Sequence, residues 1–314
     1  MDYILNELSI NTLPSIIEAR KALNTFVETC ISAKKSLNFE TLRIPEDVGS
    51  IYNIELSNGY PLSRWLHDTE VDYDIRQMAY QIVANPPLIK QSEIAESIIA
   101  CYYYQSHEVK GFAATGILNT LAVSILTDNQ WDCQEVAIRK EYFNEAEEVL
   151  TEDITIKHAS QKQHINNHQA YFQELRNESL QKCKQIWEQR EQLFPNLIFC
   201  GKTKKQLSSG LSSKYVHQIF DKLAALNNYL SYWSSGDFNL NDFVANNNVD
   251  CTDESDCTMQ KYGDERKFSI GDGRSVYFRL HIKTGDLRFH FFPDPQSRKA
   301  YIGYIGKHLN TCTG

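Results

Sequence analysis

The sequence predicts an α+β protein: a mixed body of helices and short strands, then a small C-terminal antiparallel β module. Three observations carry this expectation. Residues 15–37 set Ile16, Ala19, Leu23, Phe26, Val27 and Cys30 on one stripe at helical spacing. Residues 275–283 alternate strictly, with Val276, Phe278, Leu280 and Ile282 between Tyr277, Arg279, His281 and Lys283, the signature of a half-buried strand. Between these regions, residues 238–257 are rich in Asn and Asp and read as a linker. The expected division is a body over 1–237 with a sub-boundary near 150–160, a linker over 238–257, and a basic β module over 258–314.

Along the body, Tyr3–Leu8 reads as a short strand, and Pro14 announces the helix over 15–37. Ile51–Leu56 reads as a strand. Pro61–His67 and Asp72–Val83 read as helices, the second stopped by Pro86-Pro87. Ile98–Tyr104 is β-branched and aromatic, hence a strand. Gly111–Leu126 carries no charge and predicts a fully buried helix. Asp132–Arg139 and Asp153–Lys157 predict strands around an acidic stretch, Glu141–Glu152, expected as a solvated loop or helix. A polar helix over 161–193, a strand at Leu197–Cys200 and an amphipathic helix over Val216–Tyr232 complete the body.

Composition excludes several classes. The chain has 314 residues, is 42% hydrophobic and carries a net charge of −8, which argues against a general nucleic-acid coat. The charge is uneven. Residues 258–314 hold ten Lys/Arg against five Asp/Glu, a net +5, leaving −13 for the rest. A basic end on an acidic body predicts a local anion site or a docking surface. No apolar run of membrane-spanning length occurs, and MDYILNELSI lacks signal-peptide features, so a cytoplasmic protein is expected. Eight cysteines are scattered without a Cys-x-x-Cys, predicting free thiols and no zinc set. No motif calls for a cofactor.

The C-terminal strands carry the densest chemistry. With Thr284-Gly285 as the turn, Lys283 faces Asp286, and Ile282, Leu280 and Phe278 pair with Leu287, Phe289 and Phe291. Pro293 to Ser297 must then break the strand. Setting Phe292 opposite Lys299 places Tyr301 by His290 and leaves Gly303 as open space beside Arg288. The polar face then gathers Arg279, Arg288, His290 and Tyr301. Such a set suits phosphodiester chemistry: cations hold the phosphate and a histidine moves a proton. His281, Lys283, Lys307 and His308 extend the face as candidates for gripping nucleic acid or a partner. A solvated sheet face carries the same residue types.

Other candidates are weaker. His164 and His168 stand four apart on one helix, and His158 precedes Ser160, but no third metal ligand is evident. Glu96 and Glu108-Val109-Lys110 are the nearest groups to a PD-(D/E)xK metal nuclease. Gly111 and Gly116 are not followed by the lysine of a phosphate-binding loop.

The segments LRFHFFPD and RKAYIGYIGKHL, with YILNELS, YPLSRWLHD, IKHAS and LFPNLIFC upstream, resemble uncharacterised bacterial proteins of defence-rich gene neighbourhoods. More distantly, the last two hairpins resemble the terminal strands of RelE-type ribonuclease toxins, which cleave messenger RNA with Arg, Lys, Tyr or His on one sheet face. By position, that resemblance implies such roles for Arg279, Arg288, His290 and Tyr301. Two functions are thus expected: a metal-independent nuclease effector of antiviral defence acting on RNA, or a non-catalytic subunit binding nucleic acid or a partner protein in a defence complex.

Overall fold

A computed structural model describes residues 1–84, 86–89, 100–144, 147–247, 249–271, 273–285 and 287–312. The chain is an α+β protein that divides into two compact units, Met1–Gln173 and Glu174–Gly314. The segment expected as a linker, 238–257, therefore lies inside the second unit. Among the described residues, no helix is long and apolar enough to cross a membrane.

The first unit is built on eight strands: β1 (Tyr3–Leu5), β2 (Leu42–Pro45), β3 (Leu88–Ile89), β4 (Ala100–Tyr104), β5 (His107–Glu108), β6 (Leu121–Val123), β7 (Glu135–Phe143) and β8 (Val149–Ala159). Their order is β3-β2-β1-β6-β8-β7-β4-β5. Neighbours from β3 to β8 are parallel, and those from β8 to β5 are antiparallel. Parallel neighbours require crossovers, and the helix Ile16–Leu37 supplies the one between β1 and β2. Ser15 caps it by accepting from the Glu18 backbone N–H, and Asn38 ends it in the left-handed region at φ 51°.

Three expectations for this unit are corrected. Ile51–Leu56 is not a strand; a 3-10 turn spans Ile51–Asn53. The apolar run 111–126 is not one helix. It splits into the helix Lys110–Ile117 and strand β6, with Asn119 at φ 46° between them. Both halves are buried, and a strand buried on both faces reads as a continuous apolar run indistinguishable from a buried helix. The acidic stretch is neither loop nor helix for most of its length. It forms the outer rungs of the β7–β8 hairpin, from Arg139↔Asp153 to Phe143↔Val149.

The second unit holds β9 (Leu197–Phe199), β10 (Asp250–Thr252), β11 (Lys267–Ser269), β12 (Ser275–Tyr277), β13 (Leu280–Thr284), β14 (Leu287–Asp294) and β15 (Lys299–Lys307). Five of them form a sheet in the order β10-β13-β14-β15-β9, antiparallel except for β15–β9, and β11 pairs with β12. One sheet face buries Ile282, Leu287, Phe289, Phe291, Ala300, Ile302 and Ile305 in a cluster with Ile219, Leu223, Leu226 and Leu230 of the helix Val216–Tyr232. The supposed linker contributes the helix Leu240–Asn247 and strand β10, with Phe243, Val249 and Cys251 in that core. Its Asn and Asp residues had dominated its composition, while three well-spaced apolar side chains decided its fate.

The register differs from expectation by two residues. Leu280 pairs with Phe291, Ile282 with Phe289 and Thr284 with Leu287, so the turn is centred one residue later, with Gly285 at φ 50°. Lys283 consequently faces Arg288; its expected partner Asp286 lies outside the described residues. A two-residue shift preserves the side-chain period, so the pairs change while the faces of β13 and β14 do not. Phe278 is the exception. It lies before β13 and its ring meets Phe268 and Phe292. Nor does Pro293 break its strand: β14 runs on to Asp294, whose carboxylate accepts from the Ser297 and Gln296 backbone N–H groups and closes the loop. The β14–β15 register shifts again at a bulge between His290 and Phe291.

Of the eight cysteines, Cys257 and Cys312 form a disulfide, which corrects the expectation of free thiols; the other six are free.

Candidate functional site

The polar face of the second unit carries a row formed by direct pairing across four strands: Thr252 on β10, His281 on β13, His290 on β14 and Tyr304 on β15. The two imidazoles stack with centroids 5.1 Å apart, and the Tyr304 ring meets His290 edge-on at 5.7 Å. Just past β10, Glu254 turns its carboxylate to within 3.7 Å of His281 Nδ1. Glu254, His281 and His290 are buried, and their ligand-capable atoms all lie within 4.8 Å of one another.

Each member is held from behind. Arg266, fully buried, donates from Nε to Glu254 Oε1 at 2.7 Å. His290 Nδ1 donates to the Phe278 carbonyl at 3.1 Å, which leaves its Nε2 with a lone pair. His281 Nε2 sits 3.3 Å from the Thr252 hydroxyl. Its Nδ1 is buried with no hydrogen-bond partner, as is Nη2 of Arg266. Burial, with His281 alongside, lowers the His290 pKa to about 3. Burial also lowers that of His281, against the pull of Glu254. Burial thus favours the neutral form of both rings.

The four residues expected to handle phosphate do not converge. Arg279 is ion-paired with Asp253 and Asp256, both at 3.0 Å, and donates to the Glu254 carbonyl. Those carboxylates raise its pKa, so the guanidinium stays charged with its charge already compensated. Arg288 donates to the Gly285 and Leu287 carbonyls, fastening the hairpin turn. His290 is 1% exposed. Tyr301 pairs with Phe292 beyond the bulge, and Tyr304 takes the place expected for it beside His290. The space expected at Gly303 is filled: a Cβ there would come within 2.5 Å of Phe268 and 2.8 Å of Phe278.

Of the supporting set, His281 joins the buried cluster and Lys283 pairs with Asp250 at 3.4 Å. Lys307 is exposed at the end of β15, and His308 Nδ1 donates to the Leu309 carbonyl. Sequence reasoning missed Thr252, Glu254, Arg266 and Tyr304. Two of these lay in the supposed linker, where nothing local announces a pairing with β13.

The first unit holds a second histidine cluster, where strands β1, β6 and β8 end. These strands flank the point at which the chain order along the sheet reverses, the usual ligand position in open parallel sheets. There the Asn6 amide donates to Ser124 Oγ at 2.9 Å, and the Ser124 hydroxyl lies 2.6 Å from His158 Nε2. His158 Nδ1 donates to the Cys133 carbonyl at 2.8 Å, which makes Nε2 the acceptor. His168 Nε2 donates to the His158 carbonyl, and His164 Nδ1 accepts from the Ser160 backbone N–H. Burial lowers the His158 pKa to about 4. Asn6, Ser124, His158 and Ser160 are sealed from solvent. The arrangement is a neutral Ser–His pair in the geometry of a general base, buried from solvent among the described residues. The Glu108-Val109-Lys110 group is dispersed: Glu108 is exposed on β5, while Lys110 opens a helix and pairs with Asp47 at 2.7 Å. Glu96 lies outside the described residues.

No family model, curated protein or solved structure matches this chain.

Proposed function

We propose that this protein is a non-catalytic subunit of a prokaryotic defence complex, engaging a partner protein through its first unit. The observation that carries the reading is the tip of the β7–β8 hairpin. Phe143 and Val149 pair directly across it at 51% and 57% exposure, with Leu150 beside them at 39%. Large apolar side chains exposed together at the end of a hairpin are costly in water and mark surfaces that another protein covers. The defence setting rests on the resemblance of the segments quoted above. The engagement of Arg279 by carboxylates and the burial of His290 weigh against RNA cleavage at the C-terminal face.

The test has two arms. The chain is co-expressed with the products of its flanking genes and analysed by size exclusion, as wild type and as Phe143→Asp/Val149→Asp. The wild type should co-elute with one product and the double variant should elute alone, with an unchanged thermal melt. Separately, labelled RNA and DNA are incubated with the chain, with and without divalent metal. Cleavage that His290→Ala abolishes would restore the nuclease-effector reading and remove this one.

A further inference from the structure

We propose that Glu254, His281 and His290 bind one divalent transition-metal ion, zinc by donor type, within the C-terminal sheet. The proposal is independent of whether the chain binds a partner.

The donor set is two imidazoles and one carboxylate, a combination that zinc accepts in tetrahedral sites. Spacing agrees. Two ligands each about 2.1 Å from a tetrahedral zinc stand roughly 3.4 Å apart, and His281 Nδ1 is 3.7 Å from Glu254 Oε1. For this pair a few tenths of an ångström would close the gap. The three ligand atoms together lie within 4.8 Å of one another, so drawing all of them onto one ion takes side-chain movements of up to about an ångström.

The outer contacts agree as well. A ligating histidine typically donates its second ring nitrogen to a carbonyl or another acceptor, which fixes the tautomer and aims the lone pair. His290 does this through Nδ1 to the Phe278 carbonyl, and His281 reaches the Thr252 hydroxyl through Nε2.

The independent sign is the atom left over. His281 is 5% exposed, and its Nδ1 faces Glu254 with no hydrogen-bond partner among the described residues. A buried, unpaired imidazole nitrogen carries an uncompensated desolvation cost, and a metal bond removes that cost.

Arg266 is the feature that must be reconciled, since a guanidinium beside a cation is unfavourable. It occupies one lone pair of Glu254 Oε1, and a carboxylate offers about four such sites. Three protein donors leave one tetrahedral position for water or hydroxide. Arg266 Nη2, buried without a partner, is a donor available to that oxygen. A hydroxide there would lower the local charge that Arg266 raises.

The ion would tie the exit of β10 to β13 and β14. It would thereby add a second anchor to the Asn/Asp-rich segment, beside the apolar contacts of Phe243, Val249 and Cys251.

The experiment uses the full chain. It is equilibrated with zinc, dialysed into metal-free buffer and measured for zinc per chain. A parallel sample is loaded with cobalt for its visible spectrum. One zinc per chain is expected, with a tetrahedral cobalt spectrum free of thiolate charge transfer. Glu254→Gln, His281→Gln and His290→Gln should each reduce retained zinc at least tenfold with unchanged circular dichroism, while His164→Gln keeps it. A wild type that retains no zinc overturns the proposal, as does retention unaffected by all three substitutions. Should those variants not fold, cobalt decides: a thiolate band, or a spectrum that His164→Gln abolishes, overturns it. A nitrogen–oxygen spectrum preserved in His164→Gln supports it.

Discussion

Both units bury a histidine cluster, and the two differ in what the rings do with their nitrogens. In the first unit, His158 spends both: Nε2 accepts from Ser124 and Nδ1 donates to Cys133. His164 and His168 are tied to the Ser160 N–H and the His158 carbonyl. The ends of three parallel strands are thereby joined by neutral hydrogen bonds. In the second unit, His290 and His281 spend one nitrogen each in the contacts described, and His281 leaves Nδ1 without a partner beside a carboxylate. Burial alone does not mark a functional histidine. In the first cluster the central ring, His158, is fully satisfied, although the Ser160 hydroxyl is buried without a partner, and the cluster reads as internal bracing. The second is incomplete, and incompleteness is what a ligand resolves.

That contrast can be broken by substitution. His158→Ala strands the Ser124 hydroxyl and the Cys133 carbonyl and opens a cavity, so it should cost about 3–6 kcal/mol of unfolding free energy. In metal-free protein, His281→Ala removes a group already partly unpaired and should cost about 1–2 kcal/mol. Chemical denaturation of both variants checks the order. Equal losses would show that the two clusters are equally complete and would remove the distinction.

Acid sharpens it next. The folded pKa of His158 is lowered to about 4 and that of His290 to about 3, both by burial. The unfolded chain therefore binds protons first. The stability each contributes is fully present above about pH 6.5, the ordinary histidine value, and is lost as pH falls toward the folded values. For His158 the loss between pH 6.5 and 4 is on the order of 3 kcal/mol. Unfolding free energy measured against pH should slope downward over that window. His158→Gln should flatten the slope by its share; an unchanged slope would mean that this ring is not buried and neutral.

The smallest effect is expected at Arg279. It is 40% exposed and paired with two carboxylates that are themselves exposed, so Arg279→Ala should cost no more than about 1 kcal/mol. A thermal melt suffices. A large loss would mean that its contact with the Glu254 carbonyl positions the buried cluster, tying surface and core more closely than the geometry suggests.

Local pattern alone determined a good deal of this protein. The helix Ile16–Leu37 was legible from its stripe and the proline before it, and Val216–Tyr232 from its amphipathic spacing. The alternation in β13 and β14 assigned Ile282 and Phe289 to the core, and His281, Arg288 and His290 to the other face. That assignment survived a register error because the strand period is two and the error was two. Tertiary structure decided the rest. Whether 111–126 is helix or strand depends on what covers it, and its uniform hydrophobicity is silent on that point. Which residue stands beside His290 depends on a bulge, so Tyr304 rather than Tyr301 takes the place. Glu254 and Arg266 meet across twelve residues in a segment whose composition spoke only for solvent. Their pairing is written in the docking of β10 on β13, a long-range contact that no local window of sequence contains.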